Sequence, residues 1–278
     1  MEQFQPKENH LEATSSPHPY PMPPTGEFVD FAGKRLHIRR LGSDLAGPPL
    51  VFLHEGLGSV ELWREFAEDV VAGSGHMGLV YSRYGNGWST PLTEPRKPDY
   101  MHVEAIETLP AIVEHHFDDP PILIGHSDGA SIALIYAGSG HPVKGLVLIA
   151  PHVFVEPASI ASISSLSDDF PMSEMPEKMA KYHVEPMTTF RGWADIWLSN
   201  EFRTWDITRY VPGVRCPTLV IQGDADEYGT VDQLDAIDTH LAYAAERLMV
   251  PDAEHSPHLS HPELVTPAVV EFISRLDR

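Results

Sequence analysis

The residues with the clearest chemical potential are Gly125-His126-Ser127-Asp128-Gly129. A serine bracketed by glycines can serve as a nucleophile where the chain turns sharply from a strand into a helix and lifts the hydroxyl clear of the backbone. Glycine and serine also make ordinary turns, so the flanks decide. Pro121-Ile122-Leu123-Ile124 is a short apolar run of the buried-strand kind, and Ala130-Ser131-Ile132-Ala133-Leu134-Ile135-Tyr136 reads as the start of a helix. These flanks predict a strand-turn-helix elbow with a strained Ser127 at its tip. Such a serine still needs a base to take its proton, an acid to orient the base, and donors to hold the negative charge that develops during attack.

The elements that must position these groups follow from apolar patterning. Glu27 to Phe31 and Arg35 to Arg40 alternate apolar and polar residues around Ala32-Gly33-Lys34, as in a strand pair with one wet face. Continuous apolar runs come next, at Leu50 to Leu53, Gly78 to Tyr81, Ile122 to Ile124, Leu146 to Ile149, Thr218 to Ile221 and Arg247 to Val250. Runs of this kind mark strands covered on both faces. Helical stretches separate them at Glu61 to Val71, Met101 to Phe117 and Glu263 to Leu276. The alternation predicts an α/β fold: a mostly parallel central sheet with helices on both faces. The alternation breaks from about Glu156 to Val211, where Trp193, Trp197 and Trp205 lie among phenylalanines and methionines with no convincing strand. The expected organisation is a core of 26–155 and 212–278, with 156–211 as a small helical cap over the sheet edge. Trp193 and Trp197 fall on one helical face, directed either to a substrate pocket or to the cap's own packing.

Composition narrows the partners. The 278 residues carry 40 acidic and 19 basic side chains, a formal charge of -21, which disfavours nucleic acid and anionic membrane surfaces. Cys216 is the single cysteine, so no internal disulfide can form, and a reducing, cytoplasmic location is expected. No apolar run approaches the roughly 20 residues of a membrane span. Met1 to Thr25 is polar and proline-rich, without the charged start and apolar middle of a signal peptide, and is expected to be a flexible tail. The expected partner is a small-molecule substrate; a homodimer remains compatible with the sequence. His115-His116 lacks a ligand at helical spacing to complete a metal site, and Gly85-Asn86-Gly87 lacks the lysine-serine pair of a phosphate loop.

With the elbow and the alternation in view, the chain resembles the α/β-hydrolase fold family over roughly residues 27 to 278. The resemblance implies a triad in the chain order nucleophile, acid, histidine. Its acid follows a strand in a G-x-x-D pattern, matched by Gly223-Asp224-Ala225-Asp226, where Asp226 takes the family's position and Asp224 is the rival. Its histidine lies in the loop after the last strand, which places His255 as the base; Glu254 departs from the glycine more usual before it. Its oxyanion hole takes one amide from the residue after the nucleophile, Asp128. The other comes from a loop like His54-Glu55-Gly56-Leu57-Gly58-Ser59, with Gly56 at the donor position. Glu55 replaces the usual glycine and is either a carboxylate facing substrate or a brace for the loop. That loop, together with Ala150-Pro151-His152-Val153-Phe154, resembles a little-characterised bacterial subgroup, and Glu55, Leu57, His152, Phe154, Trp193 and Trp197 are the expected pocket residues.

The implied activity is hydrolysis of a small uncharged or weakly polar carboxylic ester through an acyl-enzyme, without metal or organic cofactor. Serine at the elbow argues against haloalkane dehalogenase and epoxide hydrolase chemistry, which use aspartate there. A carbon-carbon bond hydrolase of ring-cleavage products, a thioesterase or a lactonase would use the same triad. A ligand-binding receptor and a cofactor-free dioxygenase are the readings from other classes, and an intact triad speaks against the receptor.

Overall fold

A computed structural model describes residues 12–13, 23 and 25–277. Its strands are β1 (Glu12–Ala13), β2 (Glu27–Phe31), β3 (Lys34–Leu41), β4 (Leu50–Leu53), β5 (Gly78–Tyr81), β6 (Ile122–His126), β7 (Gly145–Ile149), β8 (Thr218–Gly223) and β9 (Glu246–Val250). They form one sheet in the order β1-β2-β3-β5-β4-β6-β7-β8-β9. Pairing is antiparallel from β1 to β5 and parallel from β5 through β4 to β9. The continuous apolar runs are the central parallel strands, and every residue of β4, β5, β6, β7 and β8 is buried. Last in the order, β9 departs from that pattern: Glu246, Arg247 and Met249 are exposed, because an edge strand has one side open.

Helices cover both faces of the sheet. Phe66, Val70 and Val71 of Phe66–Ser74 pack with Val265, Val269, Phe272 and Ile273 of Pro262–Leu276 on one side. The other side takes Met101, Ala105, Leu109 and Ile112, the helix Asp128–Gly138, and Leu234 and Ile237 of Val231–His240. This is the architecture expected of the sequence, an α/β fold with a mostly parallel sheet.

Local departures have local causes. The helix expected from Glu61 to Val71 is broken: a 3-10 turn, Val60–Trp63, is followed by Arg64 at φ 51°, and the α-helix begins at Phe66. The stretch Met101 to Phe117 is helical but widens into a π turn at Glu104–Thr108, which leaves the Glu104 carboxylate buried against the Tyr81 hydroxyl at 2.7 Å. Within the expected tail, Glu12–Ala13 pairs with Val29 and Asp30, so that piece is a strand; most of the remaining tail lies outside the described residues. Between β7 and β8 the chain forms only helices and turns from Pro157 to Gly213, apart from a bridge between Phe154 and Asp206. No described helix is long and apolar enough to cross a membrane.

Candidate active site

The elbow forms as its sequence requires. Ser127 follows β6 at φ 54° and ψ -118°, a strained region for a side-chain-bearing residue, and caps the helix Asp128–Gly138. Its N–H donates to Ile149 O of β7 at 2.9 Å. Glycine is obligatory on both sides: a β-carbon at Gly129 would lie 1.8 Å from Leu53 O, and one at Gly125 would lie 2.4 Å from Gly129 O. Backbone crowding therefore lifts the serine side chain above the ends of β4 and β6.

The three residues expected to act together meet there. His255 Nε2 lies 2.9 Å from Ser127 Oγ, and His255 Nδ1 lies 2.9 and 3.0 Å from the two Asp226 oxygens. Asp226 also accepts the main-chain N–H groups of Tyr228 at 2.9 Å and Gly229 at 3.2 Å, and the Gln222 amide at 3.1 Å. Burial alone would raise its carboxyl, but the hydrogen bond and charge of His255, with the Tyr228 N–H, hold it below the usual range. For His255 the balance inverts: burial pulls the imidazolium down, while Asp226, then Glu227 and Glu55, raise it above the ordinary histidine value. Asp224 is not part of this chain; it is exposed and accepts the Asp252 N–H at 2.7 Å. Gly223 lets the acid and histidine loops touch, since a β-carbon there would sit 2.0 Å from Ala253 O.

The loop His54 to Ser59 is held by groups the sequence reading left out. The buried Arg83 guanidinium donates to His54 O and, at 2.8 Å, to Glu55 O, while His54 Nδ1–H donates to Glu55 O at 2.6 Å. His54 Nε2 accepts the Arg83 N–H at 3.0 Å, which fixes the neutral tautomer; burial and the Arg83 charge hold its pKa well below normal. A trans peptide points its N–H opposite to its C=O, so anchoring Glu55 O aims the Gly56 N–H the other way. Asn86 Nδ2 donates to Gly56 O at 3.0 Å and Gly58 O at 3.2 Å. Among the described residues, the Gly56 and Asp128 N–H groups have no acceptor, although both residues are buried. Buried amides left without an acceptor are free to receive a ligand oxygen, which is the property an oxyanion hole requires.

The expected pocket residues separate into groups. Trp193, on the helix Pro186–Leu198, lies over the Gly56 loop: a β-carbon on Gly56 would meet its indole at 2.2 Å. The Tyr228 ring lies tilted against His255, with centroids 4.8 Å apart and planes at 51°. His152 is buried 5.5 Å from the His255 ring, its Nδ1 without a partner; burial and the neighbouring His255 push its pKa down to about 3, so it is neutral. Trp197 is 1% exposed, packs on His152, Phe202 and Trp205, and spends its N–H on Tyr100. Leu57 and Phe154 are half-buried on the core, and the Phe154 main chain is tied to Gln233. Glu55 turns its carboxylate away, under Gly58 and toward His126. An open cleft of about 770 Å³ lies beside the Pro186–Leu198 helix, lined in part by Leu92, Arg96, Met187 and Arg191, and contains none of Ser127, Asp226 and His255. The convergent chemistry lies beneath Trp193 and Tyr228, where Ser127 is only 6% exposed. No cluster of metal-binding side chains occurs among the described residues.

Comparison with known proteins agrees with this fold. The model of the alpha/beta hydrolase fold family matches residues 48–199, more than half of the chain. The chain belongs to the α/β hydrolase fold family. The matched span includes Ser127, Gly56 and Asp128. By sequence, this α/β hydrolase is 29% identical over 122 residues to a proline iminopeptidase of Lactobacillus helveticus, covering 43% of this chain and 41% of that relative. It thus matches about two fifths of the length of that curated relative. By structure, it is similar to a putative lipase from Acinetobacter baumannii AYE, with TM-score 0.75, 18% identity and coverage of 91% and 92% of the two chains. A thermophilic esterase from Thermogutta terrifontis aligns with TM-score 0.68, 20% identity and coverage of 97% and 99%. At such identities the likeness is one of fold.

Proposed function

We propose that this α/β hydrolase cleaves a small carboxylic ester through an acyl-enzyme formed on Ser127. The observation that carries the reading is the unbroken hydrogen-bonded chain Asp226–His255–Ser127, closed by two unspent amides. Ser127 Oγ attacks the ester carbonyl as its proton passes to His255 Nε2. The carbonyl π pair moves onto oxygen, facing the Gly56 and Asp128 N–H groups. Collapse expels the alcohol, which takes the proton from His255. Water then gives a proton to His255 as it attacks the acyl carbon, and collapse releases the acid while His255 returns that proton to Ser127 Oγ, restoring the free serine.

Charge around the site favours an uncharged substrate. Asp226, Glu227 and Glu55 act on His255, while the Arg83 and Arg96 guanidinium groups are engaged with main-chain carbonyls and Asn86. A ring-cleavage product bearing carboxylates would meet the charge of Asp226 and Glu227, and among the described residues Arg83 and Arg96 are already engaged, which disfavours the carbon-carbon hydrolase reading. The sequence match to a proline iminopeptidase supports one second reading, hydrolysis of a proline amide by the same steps with an amine leaving.

Fluorophosphonate labelling followed by a panel of p-nitrophenyl esters, thioesters, lactones, vinylogous diketones and a proline p-nitroanilide tests both. Label on Ser127 and highest kcat/KM on short esters are expected; highest kcat/KM on the anilide would favour the second reading. Ser127→Ala should lose label and about a million-fold in turnover. Ester hydrolysis near the wild-type rate in that variant would refute the assignment.

A further inference from the structure

We infer that Tyr100 and Arg96 are positioning residues that align both oxyanion amides and tie that alignment to the seating of the cap. The inference rests on the ester-hydrolase reading above. Neither residue was singled out by sequence, and neither belongs to the triad.

One arm runs to Asp128. The Tyr100 hydroxyl donates to Asp128 Oδ2 at 2.6 Å, and Asp128 is 1% exposed at the first turn of the helix after Ser127. Holding this side chain restricts the residue whose own N–H is the first oxyanion donor. The same Tyr100 oxygen accepts the Trp197 indole N–H at 3.1 Å. Trp197 lies near the end of the cap helix Pro186–Leu198, so two hydrogen bonds join the cap to the donor residue.

The second arm runs to the Gly56 loop. Arg96 Nη2 donates to Asn86 Oδ1 at 2.8 Å and to Tyr84 O at 3.1 Å, which orients the Asn86 amide so that Nδ2 faces Gly56 O and Gly58 O. The Arg96 guanidinium also lies 5.0 Å over the Tyr100 ring, a cation-π contact that joins the arms. A bridge from Trp197 through Tyr100 to Asp128, and from Arg96 through Asn86 to Gly56, explains why polar groups are buried beneath a cap that apolar packing could have seated. Oxyanion donors act through fixed placement, and a shift of about 1 Å can cost about 100-fold in rate.

The test uses Tyr100→Phe, Arg96→Lys and Trp197→Phe in the full-length enzyme. Kinetics on p-nitrophenyl acetate, affinity for a trifluoromethyl ketone that forms a tetrahedral oxyanion on serine, and melting temperature are read together. Tyr100→Phe should lower kcat about 10- to 100-fold with KM changed less than about threefold, and ketone affinity should fall in proportion to kcat/KM. Trp197→Phe should act in the same direction, and the Tyr100→Phe/Trp197→Phe double variant should be no worse than Tyr100→Phe alone, since both interrupt one chain. Arg96→Lys, which loses the planar fork but keeps the charge, should also lower kcat. Unchanged kcat in Tyr100→Phe, a loss confined to KM, or fully additive losses would overturn the inference. If Tyr100→Phe did not fold, the kcat and ketone results for the other two variants would decide it. A wild type that fluorophosphonate does not label would overturn this inference and the ester-hydrolase reading together. A labelled wild type whose variants keep kcat would overturn this inference alone.

Discussion

His126 Nε2 donates to the main-chain carbonyl of His255 at 2.8 Å. The residue before the proposed nucleophile thus holds the loop that carries the proposed base. Its other nitrogen, Nδ1, faces Glu55 Oε2 at 3.7 Å, and Glu55 lies where a β-carbon on Gly58 would otherwise be. Burial would raise the Glu55 carboxyl, but the His126 contact and charge outweigh it and hold the group below the usual value. Of the two roles open to Glu55 in the sequence, this geometry favours the brace.

The pH dependence follows from these charges. His255 must be neutral to accept the serine proton, so rate rises with pH and then levels off. Because the folded enzyme raises His255, the inflection in kcat/KM should lie above the ordinary histidine value of about 6.5. Glu55→Gln removes one of the negative charges that raise it, so the inflection should move to lower pH. A pH-rate profile of the two proteins checks both, and an upward shift in the variant would contradict the charge assignment.

Asp226→Asn should reduce turnover about ten-thousand-fold by presenting His255 with the wrong partner and tautomer. Asp224→Asn should act weakly, because Asp224 is exposed and only accepts the Asp252 N–H. Steady-state kinetics of the pair, each checked for an unchanged melting temperature, distinguishes them; a reversed order would make Asp224 the acid.

The parts legible in the sequence share a property: each is written in neighbouring residues. Apolar runs of three or four residues mark strands because burial on both faces removes alternation, and Gly125, Gly129 and Gly223 mark backbone approaches that exclude a β-carbon. The parts that were not legible act over distance. Arg83 holds carbonyls 28 and 29 residues away, Asn86 reaches back 28 and 30, and Tyr100 joins Asp128 to Trp197. Gly85-Asn86-Gly87 could be recognised as a turn, but nothing local says which carbonyls its amide would meet. Arg64 at positive φ, which breaks the first helix, has no local signal either.

The two tryptophans of the helix Pro186–Leu198 should separate under mutation. Trp197 is sealed among Phe202, Trp205 and His152, so Trp197→Ala should cost about 3–5 kcal/mol of stability and depress activity on every substrate. Trp193 lies against Gly56, so Trp193→Ala should change relative kcat/KM among aryl and acetyl esters more than Trp197→Ala does. Denaturant midpoints measured beside the substrate panel check this; equal selectivity changes in the two variants would remove Trp193 from the pocket.

Acid should destabilise the fold before most carboxylates titrate. Burial depresses His37 to about 4, His152 to about 3 and His183 to about 4, and holds His54 and His258 well below normal. These groups stay neutral in the folded protein while the unfolded chain takes up protons below about pH 6.5. Stability therefore falls as pH drops from about 6.5 toward 4. His255, which is raised, contributes the opposite sign and is outnumbered. The slope should exceed about 1.4 kcal/mol per pH unit, the value for one proton. Urea midpoints between pH 7 and 5 give this slope, and a flat profile would contradict the buried neutral histidines.

The position of β9 has a further consequence for how the enzyme fails. Ser127 hangs from β6 in the middle of the sheet, while His255 follows β9, which among the described residues is bonded to β8 alone and is largely exposed. Opening such a margin costs less than opening the interior. Under rising denaturant the histidine half of the site should detach first, with fast amide exchange at Leu248 to Val250 while β6 stays protected. Activity should vanish ahead of the loss of the central strands, leaving a folded body with its serine in place and no base to serve it.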